Sequence, residues 1–299
     1  MERRAIPAEM LIRQQLLALK RALPAAQKGD AERLHEARVA TRRLRERIPL
    51  LLPNSTGRKI VRKVRRLSRA LGPVRELDVA IQTLEALGDS DVPPAAVMKL
   101  RQLMRQERQR LHADMCSEVA HINVDKLRRR AAAVAEKEDS SPTPVRAVRR
   151  VRAAQERAAR RAMLLRAAVD DAAGLYLPDR LHDVRVAVKK LRYSLELVRE
   201  IKGSRALARI AMLKEAQDLL GRMHDLEVLI GRVRAVQGSS SAANLRLSAG
   251  LDRLVRRLET ECRQLHGHYM TVRQRLMAVC EHTVTTAESS RAKSDSSAA

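Results

Sequence analysis

The stretch "LHEARVATRRLRE" at residues 34–46 returns as "LHDVRVAVKKLRY" at residues 181–193, 147 positions later. Both place a histidine second, apolar residues at three- and four-residue spacing, and cations between them. That spacing is the period of an amphipathic helix. With His35 at zero on a helical wheel, Arg38, Arg42 and Arg45 fall within about 80° on one side. Leu34, Ala37, Leu44, Ile48 and Leu51 fall opposite. The second copy repeats the division, with His182, Arg185, Lys189 and Arg192 against Leu181, Val184, Val188, Leu191 and Leu195. Each helix thus has a packing face and a cationic face about 15 Å long. The cationic face holds no acid, so i,i+4 pairing cannot neutralise it.

A second pair of motifs follows in the same order. "SRALGPVRELDVAI" (68–81) and "QDLLGRMHDLEVLI" (217–230) lie 149 residues apart. Each reads Leu-Gly, two residues, a basic residue, an acid, Leu, an acid and Val. Two matched motifs at a nearly constant offset predict an internal duplication. The expected fold is all-α, with two pseudo-symmetric helical-bundle halves around a central basic groove. Periodicity and breakers predict helices at 8–22, 29–52, 55–71, 74–88, 94–121 and 123–138, then at 145–172, 179–202, 204–220, 223–236 and 242–284. Breakers at this density argue against a long coiled coil. The expected division is an N-terminal helical half (1–138), a linker (139–145), a C-terminal helical half (146–285) and a polar, disordered tail (286–299).

Composition narrows the function. Among 299 residues there is no Phe or Trp and only three Tyr, so Leu, Val, Ala, Ile and Met must fill the core. The formal charge of +25 exceeds what a fold needs and destabilises it by self-repulsion. A polyanionic partner accounts for it, whether nucleic acid, an acidic membrane surface or a phosphate polymer. Arg predominates, and its planar fork suits phosphate oxygens. "RKIVRKVRRLSR" (58–69) adds seven cations and no acid, with Arg62, Arg66 and Arg69 sharing a face and Arg65 beside it. The corresponding "RIAMLKEAQDLL" (209–220) keeps Lys214 but carries Glu215 and Asp218. The Arg residues at 146–166 surround nearly the whole helix and read as a solvated surface.

Other chemistry finds little support. Three scattered cysteines without ligand spacing fit a reduced, cytoplasmic setting. The N-terminus has no signal-peptide core, and no apolar run is long enough to span a membrane. No Gly-rich phosphate loop, nucleophile elbow or carboxylate pair is evident, so no catalytic residue, cofactor or metal is expected. "HGHY" (266–269) does not put both histidines on one helix face. Glu76, Asp78, Asp225 and Glu227 recur between the halves and are expected to pair with Arg on neighbouring helices. Nonspecific nucleic-acid binding is the alternative function, opposed by the scarcity of aromatic residues on which bases could stack.

The paired motifs resemble the two halves of a CHAD domain, the conserved histidine α-helical domain, from about residue 8 to 284. The resemblance implies two helical bundles about a pseudo-twofold axis, with a basic groove between them. It implies non-catalytic binding of inorganic polyphosphate, with phosphate or sulfate as mimics, and in some members association with polyphosphate granules. Residue by residue, it points to His35, Arg38, Arg42 and Arg45 on the first basic helix and to His182, Arg185, Lys189 and Arg192 on the second. Arg62, Arg65, Arg66, Arg69 and Lys214 on the following helices complete the expected set. Many relatives join this domain to a triphosphate-tunnel enzyme; this chain looks like a stand-alone binding module. Histidines among cations are expected to stay neutral until an anion binds, so affinity should rise as pH falls through the mid-6 range typical of His.

Overall fold

A computed structural model describes residues 8–87, 93–139, 144–203, 206–239 and 245–296. Nine helices account for nearly all of them: α1 (Ala8–Gln27), α2 (Ala31–Leu51), α3 (Ser55–Glu85), α4 (Pro94–Ala120), α5 (Val124–Asp139), α6 (Pro144–Asp171), α7 (Pro178–Lys202), α8 (Leu207–Ser239) and α9 (Leu245–Ser296). The two helices that carry the repeated stretch are α2 and α7. Asp30 caps α2 by accepting from the backbone N–H groups of Glu32 and Arg33, both at 3.0 Å. Asn54 caps α3 through the N–H of Gly57 at 2.9 Å. A Cβ on Gly57 would lie 2.0 Å from the Leu52 carbonyl oxygen, so only glycine lets α2 turn this tightly into α3.

Helix pairing repeats along the chain. α1 packs on α2, α2 on α3, α3 on α4 and α1 on α5; then α6 packs on α7, α7 on α8, α8 on α9 and α6 on α9. One core lies among α1, α2, the first half of α3, the end of α4 and α5, and another among α6, α7, the first half of α8 and α9. A third core joins the two sides, where Leu77, Ile81 and Leu84 of α3 meet Leu226, Leu229 and Val233 of α8 with parts of α4 and α9. The packing faces are where the wheel places them. Leu44 and Leu191 are fully buried, and truncating either to Ala should cost about 2–5 kcal/mol.

Four expectations change. The Leu-Gly positions do not end helices, because α3 runs unbroken through Gly72 and Pro73 and α8 through Gly221. Burial on both sides of the break holds the helix together against the missing proline N–H. The chain at 286–296 is helical rather than disordered. Its hydroxyls turn back onto the preceding turn, with Thr286 donating to His282 O at 2.6 Å and Ser290 to Thr286 O at 2.9 Å, and Gln155 Nε2 of α6 donates to Ser290 Oγ at 3.1 Å. Of the expected linker, residues 140–143 lie outside the described residues, while Asp139 and Pro144 are helical. The arginines of α6 are not all solvated, since Arg157 and Arg161 reach across to Glu46 of α2 at 2.9 and 2.6 Å.

Candidate functional site

The cationic faces of α2 and α7 meet. A cavity of about 740 Å³ is lined by His35, Arg38 and Arg42 of α2, Arg75 of α3, Arg185 and Lys189 of α7, and Arg222, His224 and Arg232 of α8. Four acids also line it: Glu76, Glu107, Asp218 and Asp225. Arg232 is held by Glu107 at 2.7 Å and by Glu76 at 3.5 Å, and Arg222 by Glu261 at 2.8 Å. Arg185 leans toward Asp225 at 3.8 Å, outside hydrogen-bond distance. Arg38, Arg42, Arg75 and Lys189 reach no carboxylate among the described residues. The lining thus mixes braced cations with ones that have no carboxylate partner among the described residues.

The repeated Leu-Gly motif serves this wall. Gly72 faces Arg38, whose Nη1 would be 3.1 Å from a Cβ placed there. That Nη1 donates to the Ser68 carbonyl at 3.3 Å, next to the Arg69 carbonyl that Pro73 leaves without its helical N–H. The glycine therefore lets a guanidinium from α2 lie against the backbone of α3.

Crowding of like charges shows in proton affinities. Burial, then Arg185 and Arg42, drives the Lys189 ammonium down to about 6, against the opposing pull of Asp225. Burial, then Arg42 and Arg75, lowers Arg38 to about 10. His35 is held below its ordinary value by burial and then by Arg75. His224 falls to about 4 through burial, then Arg185, His182 and Lys189. Asp225 is pushed up by burial in spite of Arg185 and Lys189. Such a site gains when an anion enters: desolvated cations regain a partner, and groups discharged by their neighbours can take up protons.

The predicted residues do not all reach the cavity. His35, Arg38, Arg42, Arg185 and Lys189 line the cavity. His182 lies one layer behind it, with its Nδ1 3.2 Å from Nδ1 of His224, so one ring donates and the other accepts. Arg192 does not line the cavity; its guanidinium donates to Gln217 at 2.9 Å, pairs with Glu196 at 2.5 Å and lies over the Tyr193 ring. Arg45, Arg69 and Lys214 are exposed and line no part of it. Arg66 is exposed and paired with Glu118 at 2.8 Å. Arg62 and Arg65 line a separate cavity of about 720 Å³ with Pro49, Leu52 and Pro53. A single face on α3 had been expected to contribute Arg62, Arg66 and Arg69; the cavity meets α3 only from Gly72 onward, and these residues precede it by up to about 15 Å along the helix.

Arg75 and His224 were not on the predicted set, although each is the basic residue of the second repeated motif, three positions after its glycine. Arg222 and Arg232 carry no such mark. The recurrent acids pair as expected in three cases: Asp78 with Arg108 at 2.5 Å, Glu76 with Arg232 and Asp225 with Arg185. Glu227 differs, accepting from the Tyr176 hydroxyl.

The family model of the CHAD domain matches residues 10–234. No curated protein matches the sequence. Among solved structures, the CHAD domain from the plant Ricinus communis is similar at a TM-score of 0.67 and 18% identity, over 92% of this chain and 93% of that one. PptA from Streptomyces chartreusis is similar at a TM-score of 0.61 and 17% identity, over 90% and 98%. At these identities the likeness is one of fold.

Proposed function

The chain belongs to the CHAD domain family, and from that premise we propose that it binds inorganic polyphosphate in the central cavity without altering it chemically. One observation carries the reading: Arg38 and Arg42 line the same cavity as Arg185 and Lys189, 147 residues away in the repeated stretch. A linear phosphate polymer offers oxygens to both walls at once, and Arg forks take them bidentately. We read the repeated motifs and helix pairings as an internal duplication, with one cationic stripe from each copy.

The lining favours a bare phosphate polymer over nucleic acid. It contains no Phe, Trp or Tyr on which a base could stack. Among the described residues no helix is long and apolar enough to cross a membrane. A cytoplasmic protein on polyphosphate granules is the setting this reading favours.

Defined-length polyphosphate titrated into wild type and Arg42→Ala/Arg185→Ala at physiological salt tests it. Two charge-assisted contacts at about 1.5–3 kcal/mol each imply a loss of at least roughly 100-fold. Undiminished binding by the variant would remove the cavity as the site. Displacement of polyphosphate by duplex DNA at equal phosphate concentration would favour nucleic acid instead.

A further inference from the structure

We propose that the polyphosphate path continues beyond the cavity in one direction, along the groove between α2 and α3, so that long chains engage a second subsite that short chains do not reach. This rests on the reading of the cavity given above. Positions 58, 62, 65, 69, 72 and 76 of α3 lie within about 40° of one line along the helix. Gly72 and Glu76 at one end of that line border the central cavity. Arg58, Arg62 and Arg65 at the other end border the second cavity, and exposed Arg69 falls between. On α2, positions 38, 42, 45 and 49 share a line in the same way. Arg38 and Arg42 border the central cavity and Pro49 the second, with exposed Arg45 between them. Both walls therefore run from one cavity to the other, over about 27 Å on α3 and about 16 Å on α2.

Between Glu76 at the central cavity and Arg58 at the far end, the α3 line carries no acid. Among the described residues, Arg45, Arg58, Arg62, Arg65 and Arg69 reach no carboxylate. The acids nearby are engaged elsewhere, Glu118 with Arg66 and Glu46 with Arg157 and Arg161. Some exposed arginines on other helices find partners, as Arg234 does in Glu259 and Arg275 in Glu215, while others, such as Arg129 and Arg130 of α5, have none among the described residues; what sets α2 and α3 apart is the alignment of theirs along one groove. A row of like charges without acids costs stability in the empty protein, and a linear anion would offset that cost.

The repeat supplies an internal comparison. Shifted by 149 residues, Arg58, Arg62, Arg65 and Arg69 become Leu207, Ala211, Lys214 and Asp218. On α7, Arg192 stands for Arg45 and is tied to Gln217 and Glu196, and Glu196 itself stands for Pro49. Glu215 on α8 pairs with Arg275. The second half thus closes the exit that the first half opens. A membrane surface is a poorer occupant, because none of the large apolar residues left exposed belongs to α2 or α3.

Tripolyphosphate and long-chain polyphosphate, each titrated at several salt concentrations, provide the test. Arg62→Ala/Arg65→Ala is expected to bind tripolyphosphate as wild type does and long-chain polyphosphate at least tenfold more weakly, with a shallower salt dependence. Arg129→Ala/Arg130→Ala removes the same charge from α5 and should leave both ligands unaffected. The inference is overturned if the groove variant keeps wild-type affinity for long chains, if it loses both ligands equally, or if the α5 variant loses as much. Failure of the underlying reading looks different: Arg42→Ala/Arg185→Ala would then retain both ligands.

Discussion

Replacing Lys189 with Met should make the empty protein more stable and its polyphosphate complex weaker. Met keeps the length and flexibility of the side chain and removes the charge. Lys189 is largely buried beside Arg185 and Arg42, and its ammonium falls from an ordinary 10.5 to about 6. At pH 7 folding must discharge a group that stays charged in the unfolded chain. That costs about 5 kcal/mol, at about 1.4 kcal/mol for each tenfold change in proton affinity over the roughly 3.5 pH units between pH 7 and 10.5. Water in the open cavity relaxes the penalty, so the expected gain for Met is about 2 kcal/mol, or roughly 4 °C in Tm for a chain of this size. The sign with pH follows from linkage. A depressed lysine destabilises fully below its folded value and ceases to do so as pH rises through its unfolded value. The gain in Tm should therefore be complete at pH 6 and absent near pH 10.5. With saturating polyphosphate the order should reverse, because the ligand stabilises wild type more strongly. Melts followed by circular dichroism at pH 6, 7.5 and 10, with and without polyphosphate, decide the matter. A variant that melts at or below wild type at pH 6 would refute the reasoning, as would a gain that persists at pH 10.

Binding should take up protons, because a polyanion raises the proton affinity of His35 and Lys189, both lowered in the empty cavity. Affinity should rise as pH falls from 8 to 6, by at most tenfold per pH unit for each proton taken up. Calorimetry in two buffers of different ionisation heat measures this directly, and zero uptake would contradict it. Gly72→Ala should weaken polyphosphate binding about threefold to tenfold by displacing the Arg38 guanidinium, 3.1 Å from the new methyl. Ala favours a helix interior over Gly by about 1 kcal/mol, so Tm should not fall; a lowered Tm with unchanged affinity would show that the glycine matters only for packing.

The fold was legible because α2 and α7 each carry an unambiguous period, and their fully buried Leu44 and Leu191 sit where the wheel puts them. The breaks assigned at Gly72 and Gly221 were wrong because local propensity was weighed without the cores on either side of them. Leu71, Val74 and Leu77 are all fully buried, so packing carries α3 across Pro73. The cavity was half legible. Arg38, Arg42, Arg185 and Lys189 follow from one helix face, and Arg75 and His224 could have been found by giving the second motif's basic position the weight given to its acids. Arg222, Arg232 and Glu107 could not, since their arrival at the cavity depends on how α4 and α8 cross α3. Arg192 shows the limit of phase alone: it lies on the stripe with Lys189, yet Gln217 and Glu196 hold it.

The acids of the second motif explain how so cationic a cavity can fold while empty. A lining of cations alone would bury charge without compensation, at a cost of several kcal/mol per ion. Asp78 instead binds Arg108, whose other nitrogen donates to the Gly29 carbonyl at 3.0 Å, tying α3 and α4 to the start of α2. Glu76 and Glu107 brace Arg232 between the two halves. Asp78 and Arg108 stand outside the lining, whereas Glu76 and Glu107 are lining acids spent on Arg232, which leaves Arg38, Arg42, Arg75 and Lys189 without a carboxylate among the described residues. Asp225 is the exception, since it sits at 3.8 Å from Arg185 and moderates the charge felt by Lys189. At that distance the pair has Coulomb attraction but no hydrogen bond, so Arg185 keeps its donors for a ligand. The same residue that makes the empty cavity tolerable thus leaves its cations unsatisfied, which is the condition under which an entering anion gains most.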